Sequence, residues 1–193
     1  MDYNEVRKVI LEKLQKELSQ TLSYHSVSHV KDVLEAVERI GKEEGVSEED
    51  LVLLKTAAVF HDSGFLFDAA EHEKKSCEIA REYLPKYGYS AGQIEKICGM
   101  IMATKIPQSP KNHLEEILAD ADLDYLGRDD FFKIGNHLFN ELMLFGVIQS
   151  EREWNQLQIS FLEKHHFFTK TAIKTRKAKK EQHLQIIKNK LAL

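Results

Sequence analysis

Four short stretches of this 193-residue chain carry residue types that can do chemistry together. SYHSVSHVKDV sets His25 and His29 four residues apart at the entrance to a helical pattern, a spacing that puts two side chains on one helix face. AVFHDSG ends an apolar segment with His61 beside Asp62, and burying either group unpaired costs on the order of several kcal/mol. Something must therefore compensate them. LADADLDYL supplies Asp120, Asp122 and Asp124, and EHEKKSC supplies His72. Two imidazoles and two carboxylates make a mixed nitrogen and oxygen set suited to a divalent cation such as Mn, Fe, Co, Ni, Zn or Mg.

The elements that must position these residues read as helices. Apolar residues recur at three- and four-residue spacing almost throughout, alternating β-branched runs are nearly absent, and the three prolines all lie between positions 85 and 110. An all-α protein is expected. Residues 3–18 form a first amphipathic helix. Ser26 or Ser28 caps a second, which carries Val30, Val33, Leu34, Val37 and Ile40 until the glycines at 41 and 45 stop it. Ser47 caps a third that runs into His61 and Asp62. A helix from about 70 to 84 ends at Pro85, and Ser90 with Gln93 forms a capping box for the next. Asn112 caps the helix through the aspartate cluster, which stops at Gly127. Asp129 or Asp130 starts another through Phe131, Ile134, Leu138, Leu142 and Phe145, and further helices follow from about 151 and in the tail. Phe131, Phe132, Phe139 and Phe145 read as core.

Periodicity does not choose the working aspartate. At about 100° per residue, Asp122 lies roughly 40° beyond one edge of the stripe formed by Leu114, Ile117, Leu118, Ala121 and Tyr125, Asp124 roughly 20° from the other edge, and Asp120 about 60° outside.

Composition places limits on function. With 42% hydrophobic and 30% charged residues, the chain can bury a full core as one domain with an appendage. No run of eighteen apolar residues is present, and the amino end alternates charge with aliphatics, as expected of a cytoplasmic protein with no membrane partner. Cys77 and Cys98 have no C-x-x-C partner and read as small core residues. The net charge of −4 hides an asymmetry, because nine Lys and Arg face one acid between Lys164 and Lys190. The basic tail is expected to pack back on an acidic body, with docking of nucleic acid as the less favoured reading.

A histidine at a helix entrance, a His-Asp doublet about thirty residues later and an aspartate some sixty residues beyond resemble the HD-domain superfamily of metal-dependent phosphohydrolases. The resemblance spans roughly residues 20–145, in YHSVSHVKDVLEAV, LKTAAVFHDSG and ILADADLDYLG. It implies a compact multi-helix bundle with a metal site between helices. Residues 1–19 would be a helix packed on the domain, 20–146 the HD domain and 147–193 a basic helical extension. The implied metal ligands are His29, His61, Asp62 and Asp122, the last because the family's final ligand follows a small residue and precedes a hydrophobic one. Asp120 is the second choice.

The resemblance also implies an activity: hydrolysis of a phosphomonoester or phosphodiester of a nucleotide or other small phosphorylated metabolite. A water acidified by a divalent metal ion would attack, with Asp62 or a neighbouring carboxylate taking its proton. The YH-then-H arrangement is similar to the cyclic-nucleotide phosphodiesterases, which makes His25 the candidate donor to the leaving oxygen. His72 stands where dinuclear members have a further histidine and is expected to contact substrate or water. MIMATKIP has Thr104 and Lys105 where those members have another, which argues against a second ion. Lys105 and Arg81 are weaker candidates for phosphate contacts. A metal-loaded signalling or binding module without catalysis is the alternative class.

Overall fold

The computed structural model describes residues 1–191. The described residues form nine α-helices and no strand. The helices are α1 (Tyr3–Glu17), α2 (Val27–Glu43), α3 (Glu48–Phe60), α4 (His72–Tyr83), α5 (Ala91–Ala103), α6 (His113–Asp122), α7 (Phe131–Leu144), α8 (Glu151–Lys164) and α9 (Lys170–Leu191). Single 3-10 turns follow α3, α4 and α6, at Ser63–Leu66, Leu84–Tyr87 and Asp124–Gly127.

Many helix starts carry their own chemistry. The Asp2, Ser47, Asn112 and Ser150 side chains accept from the backbone N–H three residues on, and Ser90 with Gln93 completes a reciprocal capping box. Each satisfies donors that the helix itself leaves free. Ser26 begins α2 without such a bond.

Two apolar clusters hold the bundle together. The larger draws on α1 to α6, with Val37, Ile40, Leu54, Phe60, Ile97 and Ile117 essentially inaccessible to water. The smaller joins Tyr24, Tyr125 and Phe131 to Leu162, Phe167, Ala172 and Ile187, so α8 and α9 share a core with the segment after α6. Cys77 and Cys98 are both buried in the first cluster.

Three departures from sequence periodicity have physical causes. Helix α2 runs through Gly41 and ends at Glu43, with Gly45 (φ 72°) making the turn. Gly41 instead lets α3 approach, since a Cβ there would lie 3.0 Å from Leu51 Cδ1. Helix α6 ends at Asp122, and the chain tightens into the 3-10 turn before Gly127. Phe132 and Phe145 are 40% and 55% exposed, because neighbours about 100° apart cannot both face one core and Phe145 lies at the end of α7.

The basic tail folds back as α9. Arg176 holds Asp124 through two bonds of 2.8 and 3.1 Å, Lys179 reaches Asp129 at 2.7 Å and Lys188 reaches Glu163 at 2.5 Å. Lys180 is buried, donating to the Leu162 carbonyl at 3.1 Å and to the His165 carbonyl. His183 is buried too, its Nδ1 donating to the Leu126 carbonyl and its ring stacked on Phe131.

Burial, and after it the Lys180 ammonium, push the His165 imidazole from 6.5 down to about 3. The unfolded chain takes up a proton at this residue that the folded chain refuses, so stability falls as pH drops from 6.5 towards 3. Unfolding free energies from urea titrations at about pH 7.5 and about pH 5 should differ less in His165→Asn than in the parent chain, by up to about 2 kcal/mol. An unchanged difference would place the acid sensitivity elsewhere.

Candidate metal centre and active site

Four side chains from three helix ends meet where the two cores adjoin. His29 lies in the first turn of α2, His61 caps the end of α3, Asp62 follows it, and Asp122 is the last residue of α6. His29 Nε2 stands 3.0 Å from Asp122 Oδ1, 3.3 Å from His61 Nε2 and 3.5 Å from Asp62 Oδ2. His61 Nε2 stands 3.3 Å from Asp62 Oδ2 and 3.5 Å from Asp122 Oδ1. His29, His61 and Asp62 are buried.

The local backbone holds this arrangement. His61 Nδ1 donates to the Ala58 carbonyl at 2.8 Å, which leaves Nε2 with its lone pair towards the cluster. Ser76 of α4 donates to the His61 carbonyl at 2.7 Å and accepts from Gly64 N–H at 2.9 Å, tying the doublet to α4. Gly64 has no room for a Cβ, which would overlap the His72 backbone.

The donor set fits a divalent cation. Ligands about 2.1 Å from an ion and at right angles lie about 3.0 Å apart, close to the spacings here. Asp62 Oδ2 is buried and has no hydrogen-bond partner. An orphaned carboxylate oxygen facing two imidazole nitrogens is what a cation would satisfy, and one divalent charge would balance both carboxylates. Without it, the groups lean on one another. Burial opposes charge on His61, yet Asp62 and Asp122 hold its pKa well above the ordinary value. Burial would raise Asp62, but His61, His25 and His29 carry it well below the usual carboxylate range. Asp122 is held at about 2, against its burial, by His29 and His61.

The other two aspartates of the cluster are occupied. Asp120, fully buried, accepts from Phe168 N–H at 2.9 Å, Thr169 N–H at 2.8 Å and the Thr169 hydroxyl at 2.7 Å, strapping the start of α9 to α6. Burial raises its pKa to about 6 while these bonds pull it back. Asp124 faces Arg39 at 2.7 Å and Arg176 at 2.8 Å.

The remaining sequence candidates border the same site. His25 Nδ1 donates to Glu141 Oε1, whose second oxygen accepts from the Tyr24 and His25 N–H groups at 2.9 and 3.2 Å. Burial works against charge on His25, but Glu141 and then Asp62 raise its pKa, and burial of Glu141 is likewise outweighed by His25, which lowers it. His72 Nδ1 donates to the Ala69 carbonyl at 2.9 Å, and its Nε2 stands 3.7 Å from Asp62 Oδ1 and 3.3 Å from Glu73. The Phe65 ring packs against both, its centroid 4.0 Å from that of His25 and 4.2 Å from that of His72. Arg81 is paired with Glu95 and Lys105 stands 3.9 Å from Glu71, and both side chains are half exposed.

Glu141 and Phe65 did not emerge from the sequence. Glu141 left a signal, since Ile134, Leu138, Glu141 and Phe145 fall at helical spacing and a lone acid on an apolar stripe needs a partner. Phe65 left none. The cluster opens into a cavity of about 420 Å³, within the usual range for small-molecule sites.

The HD domain family matches residues 26–124, just over half of the chain, and the chain belongs to that family, a superfamily of metal-dependent hydrolases. Its fold is similar to the crystal structure of a predicted HD superfamily hydrolase from an uncultured Thermotogales bacterium, with a TM-score of 0.63, 20% sequence identity, and coverage of 96% of this chain and 91% of that one. No curated protein matches the sequence. Among the described residues, no helix is long and apolar enough to cross a membrane.

The aspartates separate by measurement. Asp120→Ala strands two backbone donors and a hydroxyl, and should cost roughly 3 kcal/mol in urea denaturation while the protein still binds a divalent ion. Asp122→Asn should do the reverse, losing bound metal with little loss of stability. The opposite pattern would exchange their roles.

Proposed function

We propose that this protein is a metal-dependent phosphohydrolase acting on a small phosphoester. The observation that carries the reading is the convergence of His29, His61, Asp62 and Asp122 at one end of a cavity, beside the hydrogen-bonded pair His25 and Glu141. When bound, the cation acidifies water and offsets charge on the phosphoryl oxygens.

The chain's own groups supply the rest. Asp62 presents Oδ2 to the cluster and Oδ1 towards His72, and it accepts the proton that the attacking water loses. Glu141 fixes the His25 ring through Nδ1 and leaves Nε2–H as the donor to the leaving oxygen. The water oxygen bonds to phosphorus, the phosphorus to leaving-oxygen bond breaks, and the alcohol departs with the His25 proton. His72, whose ring lies 6.2 Å from that of His25, contacts water or a phosphoryl oxygen beside Asp62. A nucleotide and a simpler phosphoester satisfy this chemistry equally.

Two measurements test it. Purified protein supplied with Mn or Mg should bind a divalent ion and hydrolyse p-nitrophenyl phosphate, with both lost in Asp62→Ala. Wild-type protein that binds no divalent ion, or hydrolyses no phosphoester, would overturn the reading. His25→Ala should lower kcat for an alkyl phosphate by about 10²–10⁴-fold but spare p-nitrophenyl phosphate, whose oxygen leaves without a proton. Equal losses on both esters would remove His25 from proton transfer.

A further inference from the structure

The cavity beside the metal cluster has two unlike ends. His25, His29, Asp62, His72 and Asp122 form one, and none of its lining residues is a lysine or arginine. The other end is walled by Leu138 and Leu142 of α7 and by Trp154, Leu157, Phe161 and Leu162 of α8. Trp154, Leu157 and Phe161 recur at three- and four-residue spacing, and Leu162 follows Gln158 by four, so one face of that helix borders the cavity. Gln158 is the one polar side chain within it, and its amide nitrogen is engaged with Asn155 at 3.4 Å.

This asymmetry restricts what can fill the space. A group carrying negative charge beyond the reacting phosphate would lie against hydrocarbon, with no ammonium or guanidinium to receive it. A sugar would leave several hydroxyls short of partners. Hydrocarbon or an aromatic ring gains about 25 cal/mol for each Å² withdrawn from water. His25 belongs to the cluster end and is bonded to Glu141 of α7, the helix that carries Leu138 and Leu142, and a simple alcohol is a poor leaving group that needs a donated proton.

We propose that the substrate is the monophosphate ester of a bulky, largely apolar alcohol, with its phosphate at the metal cluster and its alkyl or aryl group against α7 and α8. The proposal rests on the phosphohydrolase reading above. Nucleoside di- and triphosphates are poor substrates for this cavity.

The test uses the full chain loaded with Mn. Across ethyl, butyl and hexyl phosphate, KM should fall about tenfold for each two methylenes, and hexyl phosphate should exceed AMP, ADP and ATP in kcat/KM, ATP being the worst. Leu142→Lys should raise KM for hexyl phosphate and lower it for ADP. Leu157→Lys, at a position already 43% exposed, serves if the first variant does not fold. Hexylphosphonate, which cannot be hydrolysed, should raise the melting temperature more than methylphosphonate does.

The failures are distinct. If p-nitrophenyl phosphate is hydrolysed but chain length has no effect, or ATP is preferred, the apolar substrate is overturned and the phosphohydrolase stands. If no ester is hydrolysed yet the phosphonates show the chain-length effect, the cavity assignment holds as a binding site and the hydrolase reading falls. With neither, both are overturned.

Discussion

Two carboxylates, each brought within 3.5 Å of the same two imidazoles in a largely closed space, cannot stay there without positive charge among them. Much of the surrounding structure follows from this constraint. The Ala58 carbonyl fixes the His61 tautomer, Ser76 clasps the doublet to α4, and the orphaned Asp62 oxygen faces inward. Charge elsewhere is settled locally. Arg39 and Arg176 hold Asp124, and the backbone before α9 holds Asp120, so neither competes for the centre. The site is selective through what surrounds each acid, since the acids themselves are identical.

The sequence carried most of the fold, because helix periodicity and capping are local. Ser47, Ser90 and Asn112 each start a helix by a bond that spans three residues, and such bonds are visible in the order of the residues. His29, His61, Asp62 and Asp122, named from a family pattern, are brought together by the structure. The choice among Asp120, Asp122 and Asp124 was beyond the helical wheel, which assumes constant pitch, whereas the chain leaves the α-helix after Asp122. Glu141 was also out of reach, although its place on an apolar stripe hinted at a buried partner. That partner lies 116 residues away, and no local rule joins such a pair.

The two ends of the cavity come from different parts of the chain. Residues 26–124, which match the HD domain, provide His29, His61, Asp62, His72 and Asp122. The far wall comes from α7 and α8, beyond that segment, and it packs through a separate core that includes α9. The basic tail therefore has structural work at close range. Lys180 and His183 are buried, and Arg176 reaches the aspartate next to Tyr125. Charge that reads as a surface feature in sequence is partly interior in the folded chain.

The stretch DADLD places three identical acids at equal intervals, and the fold gives them three unrelated partners. On an α-helix, Asp120 and Asp122 project about 200° apart, towards the α9 strap and the cluster respectively. The tighter turn that begins beyond Asp122 swings Asp124 to the arginines. The segment works as an indexed spindle whose angular settings are counted in whole residues. Insertion or deletion of a single residue would turn strap, cluster acid and arginine hub out of register together.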